Sequence, residues 1–217
     1  MLRPFRTNVC RGLAIAGIVL AASIGLAALG SSIGIPALPG PLAELEQRLP
    51  AIFKIHMIAS GLGLILLPWI LVLRHRRAPH RMLGRVGAGL LLIGAAASVP
   101  SVLYSEAVPL ARVSFLTQGI LCLIFLVGAV RAIRARNIQR HAQLMLRVSA
   151  LVFGAVMLRI LMALAMQFGL PFEPTYAAVA WLSWALPLAM VSLWPSYKSW
   201  SSKRFIPALH QAAATNS

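Results

Sequence analysis

Six long apolar stretches, with the charges sorted between them, restrict this chain to one kind of fold. All four acidic residues, Glu44, Glu46, Glu106 and Glu173, fall in alternate gaps between the stretches. Sixteen of the twenty Lys and Arg residues fall in the other gaps and at the two ends. Each stretch is near the ~20 residues that carry a helix across a ~30 Å hydrocarbon core. Helices of this kind satisfy their own backbone hydrogen bonds, as lipid requires. The expected spans run over residues 12–30, 51–73, 84–104, 113–131, 147–168 and 177–196. The predicted fold is all-α, a polytopic bundle of six transmembrane helices. Residues 1–200 form a single transmembrane domain, and 201–217 a mobile polar tail.

Charge placement sets the expected orientation. Arg3, Arg6 and Arg11 precede the first span. Arg74, Arg76, Arg77, Arg81 and Arg85 surround the turn between the second and third spans. Arg131, Arg134, Arg136, Arg140 and Arg147 do the same between the fourth and fifth, and Lys198, Lys203 and Arg204 follow the last. Arg48, Lys54 and Arg112 share the opposite side with the acids. The positive-inside rule then puts both termini in the cytoplasm. A net charge of +16 would point to nucleic acid in a soluble chain, but with 59% hydrophobic and 11% charged residues it reads as topology, and nucleic acid is not an expected partner. The same basic turns attract anionic lipid at the cytoplasmic face, so the bilayer itself is the expected partner.

Residues 1–30 have the basic start, apolar centre and small residues of a signal peptide. The apolar run is long for one, which favours retention as a span. Cys10 and Cys122 lie at different depths and form no disulfide framework. The gap at 31–50 holds Pro36, Pro39, Pro41 and Pro50 and is expected to be irregular, with Pro50 suited to the first turn of the second span. Tyr176 and Trp181 on one side, and Trp194, Tyr197 and Trp200 on the other, match interfacial aromatic belts.

Four residues stand out as candidates for chemistry. Arg159 falls near the middle of the fifth span, where a charge costs about 2.5–3.5 kcal/mol to insert. No span contains an acid to neutralise it. Its partner is therefore Glu106 or Glu173 reached by snorkelling, a carbonyl freed by Pro100 or Pro187, or a bound anion. His56 shares a helical face with Ala59, Ser60 and Gly63, a small-residue stripe that permits close packing or a flat ligand. Lys54 beside it is expected to reach Glu44 or Glu46. His80 and His141 each open a span from the basic side. His141 and Arg159 are eighteen residues apart, so one helix face joins them over about 27 Å.

The order of these residues carries a resemblance. His56, then Ala-Pro-His80-Arg81-Met-Leu-Gly84-Arg85, then Arg140-His141-Ala-Gln-Leu-Met145-Leu-Arg147, and on to Leu158-Arg159, resembles a family of bacterial membrane proteins known as domain of unknown function 2306. The resemblance covers about residues 50–196 and implies a membrane architecture without an activity. The chain departs from it at Pro187 and Leu188, where Asn-Leu followed by an acid would be expected.

Three uses of these positions are open. In the first, histidines ligate b-type haem for electron transfer and Arg159 neutralises a propionate. His80 would pair with His141, or His56 with Met162 or Met166; no Cys-x-x-Cys-His provides covalent attachment. In the second, helix N-termini with Arg81, Arg85, Arg140 and Arg147 bind an anionic lipid headgroup or phosphorylated metabolite. In the third, the protein is a membrane assembly or scaffold component without chemistry of its own; separately, Gly87, Gly94 and Ser98 offer a small-residue face for a homodimer. Paired intramembrane carboxylates, a His-Glu-x-x-His element, a Walker loop and a dinucleotide fingerprint are all missing from the sequence. The two inner hairpins, out-to-in and back, also hint at a parallel duplication.

Overall fold

The computed structural model describes residues 2–35, 38 and 40–193, with side chains for all of these except 2–11, 13, 40 and 41. Among them there are seven α-helices and no strand. They are α1 (Leu2–Ser32), α2 (Gly40–Arg48), α3 (Pro50–Val72), α4 (Arg77–Leu103), α5 (Pro109–Arg134), α6 (Ile138–Gln167) and α7 (Phe172–Leu193). All except α2 are long and apolar enough to cross a membrane. Each of the six leaves large apolar side chains uncovered, including Ile15, Trp69, Ile93, Ile124, Leu164 and Leu186. Apolar surface on every outward face is what lipid, rather than water, accommodates. The protein is an integral, multi-pass membrane protein.

Several helices begin earlier than hydropathy predicts. α4 starts at Arg77 and α6 at Ile138, where the apolar runs imply 84 and 147. Arg and Gln are good helix formers, so the backbone stays helical after the side chains turn polar. At 30 residues, α6 is about 45 Å long and exceeds the hydrocarbon thickness. The gap expected to be irregular contains α2, whose Ala-Glu-Leu-Glu-Gln-Arg run outweighs the helix-breaking influence of its prolines. Pro50 does occupy the first turn of α3, as expected from its missing N–H.

α3 packs mainly on α4 and α1, α6 on α7 and α5, and α4 joins α5 to link the two groups. Lipid supplies no hydrophobic drive for helix association, so small residues that admit close contact matter more than in water. Gly87 lies against Ile70, Gly94 against Ser60, and Gly119 against Ser98. The face proposed for a homodimer is therefore spent inside the chain, on α3 and α5. The central core brings together Leu67, Leu91, Leu126, Val148, Leu151 and Trp184 from α3 to α7. Cys122 is free and buried in the same core. Trp194, Tyr197, Trp200 and the tail from Ser201 lie outside the described residues, as do the side chains of Arg3, Arg6 and Arg11.

Candidate functional site

The bundle has a basic end, at the α3–α4 and α5–α6 turns, and an acidic end, at the other connections. At the basic end both hairpins are closed in the same way. His80 is the fourth residue of α4, and its Nδ1 donates to the Ile70 carbonyl of α3 at 3.0 Å. His141 is the fourth residue of α6, and its Nδ1 donates to the Ala129 carbonyl of α5, also at 3.0 Å. A carbonyl oxygen can only accept, so Nδ1 carries the proton and Nε2 keeps its lone pair in the neutral ring. The two histidines are turned toward their own hairpin partners, α3 and α5. Among the described residues no three His, Cys, Asp or Glu side chains gather as a metal site.

The four arginines expected to form one anion site are divided between the hairpins. Arg81 and Arg85 are exposed on α4. Arg140 and Arg147 belong to α6, where a groove of about 590 Å³ runs between α5 and α6. Its apolar walls include Leu123, Ile124, Val127 and Leu144, and it ends on Arg131 and Arg140. A second recess of about 280 Å³ adjoins it, sharing Arg140 and Leu144 and adding Asn137, Gln139, Gln143 and Arg147. The Arg147 guanidinium rests over the Phe125 ring, 5.7 Å from its centroid, at the boundary between the two. Asn137 caps α6 by accepting from the Arg140 amide at 2.9 Å, which holds the first turn in place. Sequence reading assigned Arg131 to topology alone and passed over Asn137, Gln139 and Gln143. Only the side-by-side packing of α5 and α6 makes these residues neighbours.

The acidic end has a different set of polar groups. His56 Nδ1 donates to the Gly94 carbonyl of α4 at 2.9 Å, and Ser60 Oγ lies 3.4 Å from the same nitrogen. The stripe of His56, Ser60 and Gly63 thus packs against α4, where Gly63 meets Leu91. One hairpin further on, Gln118 Nε2 donates to the Leu151 carbonyl at 2.8 Å and ties α5 to α6. Each hairpin thus carries a second side chain to backbone bond besides its histidine contact, His56 to Gly94 in one and Gln118 to Leu151 in the other. Trp184 Nε1 donates to Ser114 Oγ at 2.9 Å, and Trp181 Nε1 to the Leu110 carbonyl at 3.2 Å. Trp181 is thus fixed to α5 as well as placed near the interface.

Arg159 donates to the Ala155 carbonyl, one turn back on its own helix, at 2.9 Å. The acids and freed carbonyls considered for it from sequence are not its hydrogen-bond partners. Glu106 pairs with Arg48 at 2.6 Å, while Lys54 takes Glu46 at 3.4 Å. Arg159 is within electrostatic range of His56 on α3 and Tyr176 on α7. Tyr176 is itself held between Phe115 and Phe172, with ring centroids 5.9 and 5.5 Å away. His141 and Arg159 do share a face of α6, but Val148 between them is wholly buried and Leu151 beside it nearly so. Packed core separates the two ends, so the shared face is not a conduit.

No curated protein and no solved structure matches the chain. The stretch from α3 to just past α7 is another matter. It holds both stapled hairpins, the groove and the Arg159 cluster, and residues 53–195 match the family model described as predicted membrane protein (DUF2306). With about two thirds of its length so matched, the chain belongs to that family.

Proposed function

We propose that the protein binds an anionic lipid, or a phosphorylated amphiphile with the same headgroup chemistry, in the α5–α6 groove at the cytoplasmic face of a bacterial inner membrane. One observation carries this reading: an apolar groove that terminates on two guanidinium groups, Arg131 and Arg140, with Arg147 next to them. Acyl chain and phosphate each meet a matching surface. Guanidinium forks suit phosphate oxygens, and the neighbouring Asn137, Gln139 and Gln143 add neutral donors. The positive-inside rule supports a cytoplasmic basic end. The bacterial setting rests on the family resemblance.

The test is retention of phosphatidylglycerol against phosphatidylcholine by purified protein, read by native mass spectrometry. Arg140→Gln and Arg147→Gln should each weaken phosphatidylglycerol retention by about tenfold, as expected for loss of a charge-assisted hydrogen bond. Arg85→Gln, on the other hairpin, should leave it unchanged. Equal retention of both lipids, or no effect at Arg140 and Arg147, overturns the reading.

A second reading, b-type haem binding with electron transfer, is supported by the histidine tautomers. His56, His80 and His141 all donate Nδ1–H to a backbone carbonyl, which leaves Nε2 free to ligate iron. The donor chemistry fits haem; the pairing of His80 with His141 fits poorly, because each is committed to a different hairpin. His56 with Met162 or Met166 is the alternative pair, on α3 and α6, which touch in the bundle. Haem would supply one-electron redox chemistry, while the Arg159 charge would balance a propionate. Spectra of the oxidised and dithionite-reduced protein decide it: a shifting Soret band lost in His56→Ala supports the reading, and a colourless protein from haem-replete cells removes it.

A further inference from the structure

The acidic end carries a charge that the lipid-binding reading does not use. Arg159 lies eight residues before the end of α6, about 12 Å below it. His56 is six residues into α3 and Tyr176 four into α7, about 9 and 6 Å from their helix ends. The three residues therefore lie about 6 to 12 Å below the acidic-end helix termini, on three helices.

Arg159 continues the α6 face that Val148, Val152 and Ala155 turn to the interior. Val148 is sealed, whereas Arg159, eleven residues further along α6, is exposed. A guanidinium has five N–H donors. One is directed to the Ala155 carbonyl, which already serves the helix ladder. Among the described residues no carboxylate pairs with it: the two ion pairs there are Arg48–Glu106 and Lys54–Glu46. A cation at this depth without a counter-ion is costly, and such residues mark ligand or ion pathways. His56 on α3 and Tyr176 on α7 lie within electrostatic range of Arg159, and Phe115 and Phe172 pack on the Tyr176 ring.

We infer that Arg159, with His56 and Tyr176, forms a second binding site that takes the carboxylate or phosphate of an amphiphilic organic acid entering from the leaflet at the acidic end. The acid supplies the missing counter-charge, and its tail remains in lipid. The site is separate from the α5–α6 groove, because the Val148 and Leu151 layer lies between them.

Spin-labelled doxyl-stearic acid and its methyl ester are the probes, added to wild-type protein in phosphatidylcholine vesicles. Electron paramagnetic resonance reads the motionally restricted fraction. Wild type should restrict the acid in preference to the ester by about tenfold, the effect of one charge-assisted contact. Arg159→Gln should remove that preference and Arg140→Gln should preserve it. Equal restriction of acid and ester, or a preference that survives Arg159→Gln and vanishes in Arg140→Gln, overturns the inference. If Arg159→Gln does not fold, Tyr176→Phe keeps the ring stack and should lower the preference several-fold; an unchanged preference there overturns it too. Loss of phosphatidylglycerol retention in Arg140→Gln is read independently, so either site can fail alone.

Discussion

Arg136, between α5 and α6, has φ 57°, a left-handed conformation that any Cβ disfavours. It follows the last turn of α5, where such a residue is usually glycine. Arg136→Gly should therefore raise stability by about 0.5–1 kcal/mol, measured by reversible unfolding in detergent; a loss would show that the arginine side chain outweighs the strain. Gly94 is the opposite case. A Cβ there would lie 3.1 Å from the Ser60 backbone nitrogen, so α3 and α4 meet because this side chain is missing. Gly94→Leu should push the helices apart, break the His56 bond and lower stability by about 1–3 kcal/mol. A melting temperature equal to wild type would show that the contact is looser than described. From sequence His56 could be seen as a polar residue on a small-residue stripe. That its partner is a glycine carbonyl thirty-eight residues away could not, because hydropathy carries no record of which helices touch.

At the scale of elements, the two hairpins repeat one device. Pro opens the first helix of each, at Pro50 and Pro109, and a histidine in the second helix returns to a carbonyl of the first. His80→Ala and His141→Ala should each cost about 1 kcal/mol, typical of interhelical hydrogen bonds in membrane proteins. The histidines act on separate hairpins, so the double variant should lose close to the sum. Strong coupling in the cycle, or no loss from either change, would contradict independent staples. The similar spacing of both histidines after an arginine-rich turn was legible in the sequence. Their use as staples was not, since the same residues at the same helix ends suit a ligand equally well. α2 was missed for a related reason: turn-forming prolines dominate the local pattern, while the burial of Leu45 is a tertiary contact that the local pattern does not carry.

For the whole molecule, orientation is the property that charge placement predicts most directly. In a background lacking Cys10 and Cys122, a cysteine at Ser105 should react with an impermeant maleimide from the periplasm, and one at Gln139 only after permeabilisation. The reverse pattern would invert the bundle. The sequence by itself determined the number of spans, their rough extents and the separation of basic from acidic connections. Those properties follow from transfer of side chains into lipid, an energy summed residue by residue along the chain. Only the tertiary structure decided which arginines become neighbours, that the Gly87–Gly94 face is used internally, and that core closes between His141 and Arg159. These depend on which helix faces meet. In a bilayer that choice is made by close packing and a few side chain to carbonyl bonds, and such contacts leave no periodic mark on the chain that makes them.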